Sequence, residues 1–308
     1  MKILLTGGAG FIGSNLSDRL QQEGYDVVVV DNLSSGKLEN INPEGRFYQM
    51  DIRDKELSRV FEKERPDFVS HHAAQIDVRR SVADPCFDAE VNVIGTLNIL
   101  ENCRKYGVKK VVFASSGGVL YGEVEEGKAT EDFPTIPISP YGITKLCVEK
   151  YLKFYQETYG MNSVILRYAN VYGRRQDPFG EAGVVAIFIQ KMLSGERPTI
   201  FGDGSQERDY VYVDDVVEAN LSAITKDDNL TLNIGTGITT SVQELFYELQ
   251  KITGFTKKPI YDKERAGELQ RSCLDGSKAK QLLAFTPKTD LAKGLKETVE
   301  HFRKKVTV

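Results

Sequence analysis

The sequence predicts an α/β protein, in which a doubly wound parallel sheet is joined to a smaller α/β domain. Over the first 168 residues, short apolar runs alternate with segments of helical spacing. That alternation is the pattern of parallel strands linked by crossover helices. A glycine-rich turn follows the first apolar run, where such a sheet places its ligand crevice. After about residue 168 the rhythm changes to glycine-rich loops and shorter elements.

Lys2–Thr6 is a short apolar run ending in glycines, as expected of a buried parallel strand. Residues 11–23 carry Phe11, Ile12, Leu16 and Leu20 at helical spacing, and Gly24 ends that helix. Residues 26–30 hold four valines and form a second buried strand. Arg46–Gln49 reads as a strand, 55–63 as a helix and 67–71 as a strand. One long helix is expected over 84–105, with Pro85 in its first turn. A strand over 111–115, a helix over Pro140–Tyr159 and a strand over 164–168 complete the alternation. Beyond it, Val184–Leu193, 214–225, Val242–Thr253, 278–283 and 291–304 read as helices, and 230–233 as a strand between loops. The predicted domains are therefore 1–168 and 169–308, with an interleaved boundary.

Composition narrows the function classes. The chain has 308 residues, 41% of them hydrophobic and 27% charged, which suits a folded core rather than disorder. A net charge of −4 gives no electrostatic reason for nucleic acid or an anionic membrane as partner. No apolar run is long enough to span a bilayer, and no signal peptide precedes the first strand. Cys86, Cys103, Cys147 and Cys273 form no CxxC pair, so reduced thiols in a cytoplasmic protein are expected. His71 and His72 are neighbours on a strand and point to opposite faces, a poor metal pair. No metal is expected.

Gly7-Gly8-Ala9-Gly10-Phe11-Ile12-Gly13 lies between the first strand and the first helix. Glycines there permit a tight turn and close approach of backbone to a pyrophosphate at the helix N-terminus. Asp31 ends the second strand, where a carboxylate accepts hydrogen bonds from a ribose diol and repels a 2′-phosphate. The reading is a Rossmann sheet with NAD as cofactor, in preference to NADP.

Ser115-Ser116 follows an apolar strand, and Tyr141-Gly142-Ile143-Thr144-Lys145 opens a helix. Tyrosine and lysine four apart share one helical face. Bringing a phenol from about 10 to near neutrality takes roughly 4 kcal/mol of differential stabilisation. The Lys145 ammonium and a cationic nicotinamide together would supply it.

With these residues in view, the chain resembles the extended short-chain dehydrogenase/reductase family, the NAD-dependent epimerase/dehydratases, and most closely those acting as 4-epimerases on UDP-glucose. The resemblance spans essentially the whole chain. It rests on the stretch Thr6 to Gly13, Asp31-Asn32-Leu33, Asp51-Ile52, His72-Ala73-Ala74-Gln75 and the Tyr141 to Lys145 segment. It continues through Arg167-Tyr168-Ala169-Asn170-Val171-Tyr172-Gly173 and Arg208-Asp209-Tyr210.

The resemblance implies interconversion of UDP-glucose and UDP-galactose through a bound 4-keto sugar. It implies Tyr141 as acid/base and Lys145 as its partner and holder of the nicotinamide ribose. Gly7, Gly10, Phe11, Ile12, Gly13 and the segment Asp31, Asn32, Leu33, Ser34, Ser35, Gly36 would surround the adenosine diphosphate. Asp51 and Ile52 would hold the adenine, and Ala73, Ala74, Gln75 and Asn92 would line the cofactor channel. Asn170, Phe201, Arg208 and Arg265 match positions that bind UDP; paired arginines suit a diphosphate and an aromatic ring suits uracil. For Arg208 and Arg265, ordinary surface ion pairing is the competing reading.

Relatives often place Ser or Thr where this chain has Gly117, so Ser116, or failing it Ser115, is expected to reach the sugar's 4-oxygen. Reading Arg265-Ala266-Gly267-Glu268 against the family's Arg-x-Gly-Asp segment puts Ser272 at the sugar pocket, small enough to admit an N-acetyl group. The stretch Ser116-Gly117-Gly118-Val119 lacks the acid that 4,6-dehydratases and UDP-glucuronate decarboxylases carry. A UDP-glucuronate 4-epimerase and a non-catalytic NAD-binding sensor remain as alternatives. The resemblance further implies a homodimer built on the helices beginning near Asp84 and Pro140, with Val93, Leu97, Leu100, Leu146 and Leu152 available for core and interface.

Overall fold

A computed structural model describes residues 1–179, 183–226, 229–265 and 268–306. Up to residue 168 the chain forms six strands: β1 (Lys2–Thr6), β2 (Asp26–Asp31), β3 (Arg46–Gln49), β4 (Phe68–His71), β5 (Lys110–Ser116) and β6 (Asn162–Tyr168). Among them run α1 (Phe11–Gln22), α2 (Leu57–Glu64), α3 (Val78–Ala83), α4 (Pro85–Ala89), α5 (Gly95–Tyr106), α6 (Gly117–Leu120) and α7 (Pro140–Tyr159). The later chain adds β7 (Asn170–Tyr172), α8 (Val184–Leu193), β8 (Thr199–Phe201), β9 (Glu207–Tyr212), α9 (Val213–Thr225) and β10 (Leu230–Ile234). It ends with β11 (Thr239–Ser241), α10 (Val242–Thr253), β12 (Ile260–Asp262), β13 (Arg271–Ser272), α11 (Ser277–Leu283) and α12 (Leu291–Val306).

Seven parallel strands make the large sheet, in the order β10-β6-β5-β4-β1-β2-β3. The winding reverses between β1 and β4, so the crevice beyond their carboxyl ends is the topological switch point. Successive side chains point to opposite faces, and both faces are buried. Ile3, Leu5, Val27 and Val29 pack with Leu16 and Leu20 of α1 and with Val216 and Ala223 of α9. Leu4, Val28 and Val30 pack with Phe61 of α2, Leu100 of α5 and Leu152 of α7. A third core joins Phe188 and Ile189 of α8, Phe246 and Leu249 of α10 and Leu295 of α12 around Tyr172 and Tyr212. β7, β11 and β13 pair with β9 in a small sheet, and β12 pairs with β8.

The helix expected over 84–105 is interrupted. A π-helical turn, Glu90–Ile94, separates α4 from α5. Such turns occur mostly as single bulges inside α-helices, frequently at functional sites, and this one carries Asn92. The strand expected at 230–233 is one residue longer and belongs to the large sheet, parallel to β6. With α9 packed on α1, the chain after residue 168 thus contributes to the large layer as well as to the small sheet. The short elements α3, α6, β7 to β9 and β11 to β13 had no sequence expectation. Among the described residues no helix is long and apolar enough to cross a membrane.

Candidate active site

The glycine turn stands at the switch point. Gly7 adopts φ +70, and a Cβ there would lie 2.6 Å from the Ala73 nitrogen. A Cβ on Gly13 would lie 2.1 Å from the Gly7 carbonyl oxygen, so the turn closes only on hydrogen. Gly10 is the N-cap of α1, with no capping side chain and no acid in the first turn. The N–H groups and positive dipole end of α1 are therefore available to an anion. Phe11 and Ile12 turn their side chains toward the third and first cores.

Asp31 ends β2 with its carboxyl buried. It accepts hydrogen bonds from the Ala9 nitrogen at 3.0 Å and the Leu33 nitrogen at 2.8 Å. Burial raises its pKa, and the two backbone donors oppose that. Asn32, Ser34 and Ser35 are exposed on the following loop, where Leu33 takes φ 59. Gly36 is close packed: a Cβ would come within 2.7 Å of the Ala9 Cβ and 2.9 Å of the Asp31 carboxylate. Asp51 accepts from Asn32 at 2.9 Å and pairs with Arg53, which holds its carboxyl down to about 2. The Ile52 side chain is in the core, against Gly95.

Ala73 and Ala74 follow β4 and are half-buried. Gln75 and Asn92 are buried and joined twice: the Gln75 nitrogen donates to Asn92 Oδ1 at 2.8 Å, and Asn92 Nδ2 donates to the Gln75 carbonyl at 3.0 Å. Asp88 of α4 lies beneath them. Its carboxylate accepts from Gln75 Nε2 at 2.9 Å, Asn92 Nδ2 at 3.1 Å and Thr144 Oγ1 at 2.8 Å. Neither Asp88 nor Thr144 was expected from the sequence. The available signal was an acid four residues before Asn92 and a hydroxyl beside Lys145.

Ser139 caps α7 by accepting from the Gly142 nitrogen, and Pro140 fills its first turn. This start sets Tyr141 and Lys145 on one face. Lys145 Nζ lies 5.8 Å from the Tyr141 ring centroid and donates to the Ala114 carbonyl of β5 at 2.8 Å. Burial lowers Lys145 to about 8, while Asp88 and Glu149 counteract it. Burial, with the Asp88 charge adding to it, holds the Tyr141 phenol above the ordinary tyrosine range. Lys145 by itself does not offset these two, so the expected lowering needs a second cation.

Ser115 is committed elsewhere, its hydroxyl donating to Glu149 at 2.6 Å. Ser116 ends β5, half-buried, with no hydrogen bond to its hydroxyl among the described residues. A Cβ built on Gly118 would lie 3.6 Å from Asn170 Oδ1 and 4.0 Å from Ser116 Oγ. A Cβ at Gly117 would lie 2.6 Å from the Leu274 side chain, which would have to shift to admit a side chain there.

The two arginines behave differently. Arg208 donates to three carbonyls, those of Glu207, Leu269 and Gln270, and forms no ion pair among the described residues. Arg265 pairs with Glu268 at 3.4 Å and stacks over the Phe201 ring at 3.6 Å. Those two side chains therefore cover each other. Ala266 and Gly267 lie outside the described residues. Ser272 is buried on β13, in register with Arg208 of β9. Among the described residues no group of three His, Cys, Asp or Glu side chains could hold a metal ion.

Comparison with known proteins extends this geometry. The profile of the NAD dependent epimerase/dehydratase family matches residues 3–235. The chain is 45% identical over 311 residues to a UDP-glucose 4-epimerase of Mycolicibacterium smegmatis, covering 99% of each. It is similar to the crystal structure of UDP-glucose 4-epimerase with UDP-glucose from Thermotoga maritima, at 55% identity and a TM-score of 0.98 over 99% of this chain and 100% of that one. It is also similar to the Thermus thermophilus UDP-glucose 4-epimerase in complex with NAD, at 46% identity and a TM-score of 0.94 over 98% and 99% of the two chains.

Proposed function

The chain belongs to the NAD dependent epimerase/dehydratase family, and we propose that it is an isomerase that interconverts UDP-glucose and UDP-galactose by inverting carbon 4, with NAD as its cofactor. The observation that carries this reading is the Tyr141–Lys145 pair, held on one face of α7 with Lys145 hydrogen-bonded to the end of β5. The residues present fit the cofactor. The α1 N-terminus is free of capping side chains, and Gly7 and Gly13 leave no space for larger residues in the turn.

Gly7, Gly10 and Gly13 would hold the pyrophosphate, Asp31 the adenosine ribose, and Gln75 and Asn92 the far wall of the channel. The segment Asn32 to Gly36, with Asp51 and Ile52, would close around the adenosine. When bound, the nicotinamide supplies reversible two-electron oxidation at carbon 4. Tyr141 takes the proton of the 4-hydroxyl and returns it after the resulting 4-keto sugar has presented its opposite face. The Lys145 ammonium favours the phenolate during the first of these events. Arg208, with no carboxylate paired to it among the described residues, would supply charge for the diphosphate. Arg265 and Phe201, stacked on each other here, would have to separate to admit the uracil. Residues 1–168 would serve the cofactor and 169–308 the UDP moiety, with α9 and β10 interleaved.

The purified protein is expected to interconvert UDP-glucose and UDP-galactose without added NAD. A panel with UDP-N-acetylglucosamine and UDP-glucuronate sets the range, and the small Ser272 supports turnover of the acetylated sugar. Turnover of UDP-glucuronate alone would overturn the assignment.

Ser116 is assigned as the second hydroxyl at the sugar's 4-oxygen, because Ser115 is bound to Glu149 and Gly117 is packed against Leu274. Ser116→Ala should lower kcat by about 100-fold, the effect of removing one preorganised donor. Unchanged kcat would return the role to water.

The protein is assigned as a homodimer. Ile94 (56% exposed), Ile143 (55%) and Phe154 (48%) leave an apolar surface on the π turn and α7, while Leu100 and Leu152 are spent in the core. Val93, Leu97 and Leu146 are half-buried. On α7, Ile143, Cys147, Tyr151 and Phe154 follow helical spacing along one face. Light scattering at micromolar concentration should give twice the chain mass, and a monomer there removes the assignment. Four unpaired cysteines fit a reducing compartment, and we place the protein in the cytoplasm.

A further inference from the structure

Asp88 stands outside the chemistry assigned so far, yet its carboxylate accepts from three side chains of the site. It is 0% exposed. One carboxylate oxygen accepts from Gln75 Nε2 and Asn92 Nδ2, and the other from the Thr144 hydroxyl. Gln75 comes from the loop after β4, Asn92 from the π turn and Thr144 from α7. One carboxylate thus joins the wall of the cofactor channel to the turn of α7 that carries Tyr141 and Lys145. Asn92 Nδ2 also reaches Thr144 Oγ1 at 3.2 Å, and Thr144 bonds back to the Tyr141 carbonyl at 3.0 Å.

We propose that Asp88 is a positioning residue for the proton-transfer pair: it fixes the channel wall against the Tyr141 turn and places a negative charge beside Tyr141 and Lys145. The inference rests on Tyr141 being the acid/base. A buried carboxylate with three donors is a rigid joint, and Asn92, in the π turn four residues after Asp88, reaches both Asp88 and Gln75. The charge has a direction. It raises the phenol, and it raises the ammonium against its burial. It therefore keeps Lys145 charged at neutral pH, while opposing premature ionisation of Tyr141.

Several charged and titratable groups among the described residues surround Asp88. Tyr141 and Lys145 face it from α7, and Glu149 acts on Lys145 from one turn further on. Arg80 of α3 and Arg53 lie over the Phe87 ring, at 4.0 and 5.4 Å. Asp77 and Asp84 cap α3 and α4. Gln75, Asn92 and Thr144 supply the uncharged donors to its carboxylate.

Asp88→Asn separates charge from framework. With its oxygen toward Gln75 and Asn92 it still accepts from both amides. Its NH2 then donates to Thr144, whose hydroxyl turns to the Tyr141 carbonyl. The NAD-loaded protein is titrated by tyrosinate absorbance, each form against its Tyr141→Phe counterpart, so that the difference reads Tyr141. In Asp88→Asn that titration should move to lower pH by about one unit, and the rising limb of kcat should move with it. An unmoved titration with only a lower plateau makes Asp88 a purely structural residue and overturns the proposal. Thr144→Val keeps the charge and cuts the joint. It should lower kcat by about tenfold at unchanged KM, consistent with misplacement of the reacting pair, and wild-type kcat there also overturns the proposal. If Asp88→Asn does not fold, Thr144→Val decides alone. The absorbance titration does not depend on which sugar is turned over, so its failure is distinct from a failure of the substrate assignment.

Discussion

Tyr141→Phe is expected to reduce epimerisation by at least about 100-fold, the lower range of what a positioned acid/base contributes, and to leave NAD bound. The substitution removes one hydroxyl and almost no volume. Lys145 keeps its hydrogen bond to the Ala114 carbonyl and its place over the Phe113 ring, because neither contact uses the phenol. The pH dependence carries a second expectation. Burial and Asp88 favour the protonated phenol, so wild-type turnover rises with pH as Tyr141 gives up its proton. Lys145 holds its charge below about 8 and loses it above, which removes support for the phenolate and flattens the rise. The residual rate of Tyr141→Phe has neither limb. Initial rates across pH, with bound nucleotide quantified after denaturation, provide the check. A variant that keeps more than a few per cent of activity means that another group moves the proton.

The large sheet was legible in the sequence because β1, β2, β4, β5 and β6 are short, mostly apolar runs between turns, buried in the two cores, while the edge strand β3 is only half-buried at Phe47 and Tyr48. Helices with clear stops were equally legible: Gly24 follows α1 and Gly160, at φ 67, ends α7. The small sheet was not. Around the six-residue β9, β13 has two residues and β7 and β11 have three each, as do β8 and β12 of the separate pair, too few for a period of two to be visible. The π turn was hidden for a different reason. An inserted residue shifts the helical phase without altering composition, so 84–105 reads as one helix although Asn92 faces inward to Gln75.

Candidate site residues on the local frame of a strand end or helix start, such as Gly7, Asp31 and Tyr141, stand out from spacing alone. Residues that matter through contacts across the chain do not. Asp88 meets Thr144 across 56 positions. The covering of Phe201 by Arg265 and the filling of the Gly117 position by Leu274 are likewise long-range facts. The same limit applies to the ion pair beneath the site.

Glu149→Leu is expected to destabilise the protein by about 3–5 kcal/mol and to lower its melting temperature by about 10 °C. Glu149 of α7 is 5% exposed at its side chain and Arg167 of β6 is 8% exposed. The pair is bidentate, with Arg167 Nη2 donating to Oε2 at 2.6 Å and Nε to Oε1 at 3.0 Å. Ser115 donates to the same Oε1, and Arg167 Nη1 donates to the Tyr121 hydroxyl at 2.7 Å, which in turn donates to Asn233. Removing the carboxylate leaves a guanidinium in the interior whose remaining acceptors are a phenol oxygen and the Glu131 carbonyl. The cost comes from that uncompensated charge more than from the lost attraction. Glu149→Leu with Arg167→Met should therefore recover most of the lost stability, since the second change removes the stranded charge. Both also remove one of the two carboxylates that counteract the burial of Lys145, so turnover at neutral pH should fall in the double variant even where stability returns. Calorimetry of the wild type and the two variants tests the first part: if the double variant melts no higher than Glu149→Leu, the loss lies in packing at the α7–β6 contact and not in the stranded arginine.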